Sequence, residues 1–177
     1  MEIEIDMMTD ILTMGKNART ASRSLGKLGT NKKNEVLLAV AEAIRANADY
    51  ILGENHKDVE QGKADGMKSG LLDRLTLTKA RIDGMADGVN QVAGLDDPVG
   101  EVLSMKKRPN GLLIGKKRVP FGVIAVIYES RPNVTLDTFG LCFKTGNAVI
   151  LKGGSDAINS NIAIANVIRE ALKTNGK

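Results

Sequence analysis

Two apolar, β-branched runs, GVIAVIY at residues 122–128 and NAVIL at 147–151, stand on either side of NVTLDTFGLCFKTG, residues 133–146. Runs of this texture belong to strands covered on both faces, and the segment between them is long enough for a helical crossover. The pattern predicts a β-α-β unit with parallel strands and a right-handed connection. A second helix is predicted over SDAINSNIAIANVIREALKTNG, with Ser155 or Asp156 as its N-cap and Gly176 as its stop. The expected fold class is α/β, an incomplete Rossmann-like parallel sheet. With two such strands before Lys177, half of a doubly wound sheet lacks its third strand, and a truncated chain is expected.

What precedes this unit has a different period. From residue 7 to about 95 apolar residues recur at helical spacing. Val36, Leu37, Val40, Ala41, Ile44, Ala48, Ile51 and Leu52 form one stripe, with Thr30 or Asn31 placed to cap it. Another helix follows Thr78, with Ile82, Met85, Ala86, Val89, Val92 and Ala93 on one side. QGKADGMKSG, with Gly62, Gly66 and Gly70, is predicted as the loop between them. Residues 1–97 are therefore expected to be a helical layer beside the sheet, which begins in the span 119–177.

Between the two lies VGEVLSMKKRPNGLLIGKKRVPFG, in which two β-type runs flank Pro109-Asn110-Gly111, a strong hairpin signal. A protruding β-hairpin is expected over residues 98–118. Its charges, Lys106, Lys107, Arg108, Lys116, Lys117 and Arg118, admit two readings: solvation of an exposed edge, or an electropositive face toward an anionic ligand or partner chain.

Composition removes several function classes. One cysteine and one histidine, His56, cannot form an internal disulfide or the usual zinc ligand set, so no metal is expected. A net charge of +4, 3% aromatic residues and no tryptophan argue against a nucleic-acid surface. No apolar run is long enough to span a bilayer, and the acidic MEIEIDMMTDILTM is unlike a leader peptide. The expectation is a cytoplasmic chain with a small-molecule ligand and neither membrane nor nucleic acid.

Chemistry in such a sheet belongs at the carboxyl ends of its strands. Lys152-Gly153-Gly154 follows one strand and precedes a helix, where glycine admits close approach and the helix terminus offers free N–H groups and partial positive charge. Without a G-x-G-x-x-G fingerprint, a cofactor site and a simple tight turn are both compatible. The other exit, YESRPN, is a structured corner set by Pro132. Glu129, Ser130 and Arg131 are either a satisfied surface corner or face a ligand at the edge shared with Lys152. Cys142 lies with Phe139 and Phe143 on one helical face with no histidine nearby, which makes it a core residue rather than a nucleophile. His56, in a polar run, reads as a solvated helix residue.

Taken together, LLDRL, GLDDPVGEVL, RPNGLLIGKKRVPFGVIAVIYESRPNVT and LCFKTGNAVILKGG resemble the gamma-glutamyl phosphate reductase (glutamate-5-semialdehyde dehydrogenase) family, a branch of the aldehyde dehydrogenase superfamily. The resemblance implies NADPH-dependent reduction of L-glutamyl 5-phosphate to glutamate 5-semialdehyde and phosphate, a step of proline biosynthesis, through a cysteine thioester. It implies that the nucleophile lies in a catalytic domain downstream of this chain, so no catalytic residue is expected here. Lys152 matches the lysine that reaches the adenosine ribose, and Gly153, Gly154 and Ser155 border it. Glu129, Ser130, Arg131, Pro132 and Asn133 match the corner lining the nicotinamide and substrate site. The hairpin matches an arm used in homo-oligomer formation. The alternative is a truncated, non-enzymatic interaction module.

Overall fold

The computed structural model describes residues 2–175, with side chains from Asp10 onward. The chain runs α1 (Glu2–Leu25), α2 (Thr30–Ala46), α3 (Ala48–Ala64), α4 (Ser69–Leu75), α5 (Lys79–Gly94), β1 (Val102–Lys107), β2 (Leu113–Lys117), β3 (Val123–Ile127), α6 (Asn133–Lys144), β4 (Ala148–Lys152), a 3-10 turn (Ser155–Ala157) and α7 (Ile158–Asn175). Gly176, the expected helix stop, lies outside the described residues.

The apolar stripe from Val36 to Leu52 is one surface carried by two helices. Asn47 separates them: its backbone leaves the helical region at φ −103° and ψ 20°, and its Nδ2 donates to Ala43 O at 2.8 Å, an alternative to the helical ladder. Neither Thr30 nor Asn31 caps α2. The N-cap is Gly29, without a side-chain bond, and Thr30 Oγ1 instead donates to Asp97 Oδ2 at 3.0 Å. The glycine-rich loop is also shorter than expected, because α3 continues to Ala64 and α4 starts at Ser69. Only Gly66 of the three glycines needs a positive φ, at 71°. Gly62 is helical, with Met67 Cε 3.1 Å from where a Cβ would sit. Thr78 caps α5, its side chain accepting from Arg81 N.

These helices pack α2 against α5 and α7, α3 against α7, and α5 against α6. Leu37, Ile44, Ile51, Ile82, Val89, Leu136 and Ile164 share the resulting core. Each such burial contributes roughly 1.5–3 kcal/mol. An ion pair shielded from solvent joins α2 to the segment after α5, Lys33 Nζ to Asp97 Oδ2 at 2.8 Å, with side chains 1% and 7% exposed. Val99 N donates to the other Asp97 oxygen at 3.0 Å. Lys144 Nζ, also buried, donates to Asn34 Oδ1 at 2.7 Å and Ala93 O at 2.8 Å. Lys33 ties the segment after α5 to α2, and Lys144, at the end of α6, ties that helix to α2 and to the last turn of α5.

β1 and β2 pair antiparallel, with a register shift between Val102 and Ser104. Gly111, at φ 89°, closes the turn, and Arg108 N donates to Leu112 O at 2.7 Å. Every hairpin strand residue is exposed. β3 and β4 pair in parallel, from Val123 opposite Ala148 to Ile127 opposite Lys152. The expectation that GVIAVIY is covered on both faces fails here, since Ala125 is exposed and Ile127 is 83% exposed. Among the described residues the sheet is two strands wide, α1 lies against β4 and β3, and α6 touches β4 as well as α5 and α2.

Candidate functional site

The two strand exits meet. Tyr128 N donates to Lys152 O at 3.1 Å, and Ser130 Oγ donates to Asp156 Oδ2 at 2.8 Å. Thr135 Oγ1 donates to Asn161 Oδ1 at 2.9 Å, which leaves Tyr128 OH as the donor in its 2.6 Å bond to Thr135. Gly153 and Gly154 make this possible by having no side chain. A Cβ on Gly153 would lie 2.3 Å from Asn161 Nδ2, and one on Gly154 would lie 3.2 Å from Ser130 Oγ. The glycine pair thus lets the loop pack on the corner.

At the outer edge of this junction Lys152 is exposed, its Nζ engaged among the described residues by Gly153 O alone, at 3.2 Å, and Ser155 is exposed beside it. The start of α7 is not the open anion site expected from the sequence. Buried Asp58, on α3, accepts from Asn159 N at 3.1 Å and Ser160 N at 2.8 Å, and from the side chains of both residues. A fixed carboxylate already satisfies those N–H groups and the helix dipole. Neither Ser155 nor Asp156 caps α7: they form the 3-10 turn before it, whose own N-cap is Gly154. A phosphate group can therefore be met here by Lys152 and Ser155, but not by these α7 amides.

The opposite side of the corner faces the helical layer. Pro132 is buried and introduces α6 at φ −58°. Asn133 Nδ2 donates to Asp137 Oδ2 at 3.0 Å. Burial pushes the Asp137 carboxyl above its ordinary range, and the Asn133 bond offsets this only in part. Arg131, Asn133 and Asp137 line a groove of about 440 Å³ with Arg74 and Arg81 from the α4–α5 junction. Arg81 is held by Thr76 O at 2.7 Å, by Asp73 Oδ1 at 2.9 Å and by the Asp73 carbonyl. Sequence reasoning missed Arg74 and Arg81, which lie in and just beyond LLDRL; their signal was basic residues flanking a short break between helices. Glu129 is exposed and makes no side-chain hydrogen bond among the described residues.

A second cavity, about 680 Å³, lies between α1, β4, α6 and α7; Val149, Leu151, Ile162 and Ile168 are part of its largely apolar wall. Asn161 also lines it, and its Nδ2 has no hydrogen-bond partner among the described residues.

Cys142 is 7% exposed. Phe139 and Phe143, with ring centroids 5.5 Å apart, belong to the main core, and Cys142 is among the buried apolar residues with them. Burial raises its pKa, which disfavours the thiolate. His56 is exposed and 3.9 Å from Glu60. No helix among the described residues is long and apolar enough to cross a membrane.

The aldehyde dehydrogenase family profile matches residues 6–176. The chain is 62% identical, over 169 residues, to the gamma-glutamyl phosphate reductase of Lachnospira eligens, covering 96% of this chain and 41% of that protein. It is 52% identical over 166 residues to the Geobacter metallireducens protein of the same name, covering 94% of this chain and 40% of that protein. Among solved structures, the gamma-glutamyl phosphate reductase of Thermotoga maritima superposes with a TM-score of 0.90 at 46% identity, over 93% of this chain and 40% of that one. A probable aldehyde dehydrogenase from Listeria monocytogenes, at 15% identity and a TM-score of 0.72, shares the fold. The chain spans about two-fifths of the length of these reductases.

Proposed function

Because this chain belongs to the aldehyde dehydrogenase family, we propose that it is the N-terminal part of the cofactor-binding domain of a gamma-glutamyl phosphate reductase. In this reading residues 1–97 are a helical layer, 98–118 an association hairpin and 119–177 the first β-α-β-α of the Rossmann-like sheet. The observation that carries it is the identity with the Lachnospira eligens enzyme across nearly the whole chain.

The intact cytoplasmic protein is then an oxidoreductase of proline biosynthesis that converts L-glutamyl 5-phosphate to glutamate 5-semialdehyde and phosphate. A thiolate from beyond this chain attacks the acyl carbon, the carbon–oxygen bond to phosphate breaks, and phosphate leaves with the electron pair. NADPH, when bound, supplies the hydride that resolves the thioester. The residues present fit such a cofactor at its ribose end: Lys152 carries an exposed cation and Ser155 an exposed hydroxyl at the strand exit. Asp156, the nearby acid that would oppose a 2′-phosphate, has its oxygens engaged by Ser130 and Ser155. Gly153 and Gly154 hold that edge against the 129–133 corner, which borders the substrate.

The second reading, a non-enzymatic association module, draws on the hairpin, where Leu113 is 65% exposed and Met105 54% exposed. Both readings include homo-oligomer formation through residues 98–118. They separate in a fusion of residues 1–177 to the remaining portion of the Lachnospira eligens enzyme, assayed with glutamate 5-semialdehyde, phosphate and NADP. The reductase reading requires turnover. In that fusion Lys152→Met should weaken NADPH binding about 10- to 150-fold, the equivalent of about 1.5–3 kcal/mol for one charge-assisted contact. The KM for glutamate 5-semialdehyde should change little, and unaltered NADPH affinity would remove Lys152 from the site.

A further inference from the structure

We propose that the groove between the α4–α5 junction and the start of α6 recognises a short α-amino acid bearing a second anionic group, with Asp137 accepting the ammonium and Arg74 and Arg131 the anionic ends. The proposal rests on the reductase reading and names the subsite for the glutamyl phosphate skeleton.

The charges in the groove are unequal in their duties. Arg81 is consumed by the fold, since its guanidinium holds Thr76 O and both the carbonyl and the carboxylate of Asp73. Arg74 and Arg131 make no side-chain hydrogen bond or ion pair among the described residues, yet both line the cavity. Two exposed cations lining the same space suit a carboxylate or phosphate.

Asp137 is the complementary element. It is half-buried, with one bond from Asn133, and its carboxyl is pushed up by burial, so a charge is kept here at some cost. A ligand ammonium would remove that cost. The facing helix keeps the space clear. On α5, a Cβ on Gly88 would find nothing nearer than Asp137 Oδ1, at 3.9 Å, and one on Gly84, which lines the groove, would meet nothing within 4 Å. The volume of about 440 Å³ suits a small ligand.

The test is titration of the 177-residue chain with L-2-amino-5-phosphonopentanoate, its N-acetyl derivative and inorganic phosphate, followed by calorimetry. The amino phosphonate should bind at least about tenfold more tightly than either control. Asp137→Asn should abolish the preference over the N-acetyl compound, and Arg131→Gln should weaken all three ligands. The melting temperature of Asp137→Asn should be unchanged or raised, which separates lost recognition from lost folding. Equal binding of the N-acetyl compound, an Asp137→Asn chain with unaltered preference, or no binding by the folded chain would each overturn the site. Absence of turnover in the unmodified fusion, with this discrimination intact, would sink the reductase reading alone.

Discussion

Purified alone and supplied with glutamate 5-semialdehyde, phosphate and NADP, the 177-residue chain will show no sustained NADP reduction. The reason is chemical before it is familial. Acyl transfer of this kind needs an activated thiolate, and the only thiol in the sequence is Cys142. It is buried, its pKa is raised by that burial, and its helical neighbours are apolar aromatics. Loss of a nucleophile costs on the order of 10⁶ in rate. The sheet adds a second deficit: among the described residues β3 and β4 have no further strand, so a nucleotide would meet only part of a wall. The same surface, with Ile127 83% exposed, should make the isolated chain self-associate. NADPH absorbance during the assay checks the first point. Steady turnover that vanishes in Cys142→Ala would overturn it.

Asp97→Ala is expected to cost about 3–5 kcal/mol of stability, because it strands a buried ammonium without its counter-ion. Lys33 is 1% exposed at its side chain, and Asp97 also accepts from Thr30 and Val99. Lys33→Met should cost less, since Asp97 keeps two donors. Burial works to raise the Asp97 pKa, but hydrogen bonds from Lys33, Val99 N and Thr30 outweigh it, and the value falls below its ordinary 3.8. A carboxyl with a depressed folded pKa contributes stability that is complete above its unfolded pKa and is lost as pH falls through the folded one. The gap between native chain and Asp97→Ala should thus be widest near neutral pH and narrow below about pH 4. Denaturant unfolding across that range measures it. A gap under about 1 kcal/mol at neutral pH, or one that ignores pH, would refute the clamp.

The parts that were legible in the sequence are those whose signal is local. The β-α-β unit announced itself through two β-branched runs and a crossover of suitable length, and α5 through Thr78 and a regular apolar face. The parts that were not legible depend on distant partners. Ser155 and Asp156 looked like caps for α7, yet the cap is Asp58, supplied from α3. Thr30 looked like a cap for α2, yet its hydroxyl serves Asp97. The groove of Arg74, Arg81, Arg131 and Asp137 draws on three helices and the β3–α6 loop, which no periodicity connects. Ile127 carries the texture of a strand buried on both sides but is exposed here, because burial is set by neighbours that packing supplies.

As the proposed N-terminal part of a cofactor-binding domain, this chain contributes no reacting thiol, and Cys142 is structural. Turnover of the fusion carrying Cys142→Ala, expressed per folded molecule and set beside the unmodified fusion, tests it most directly. The expected kcat is within about twofold of that of the unmodified fusion, with a stability loss of about 1 kcal/mol from the buried side chain. A normally folded Cys142→Ala fusion without turnover would contradict it.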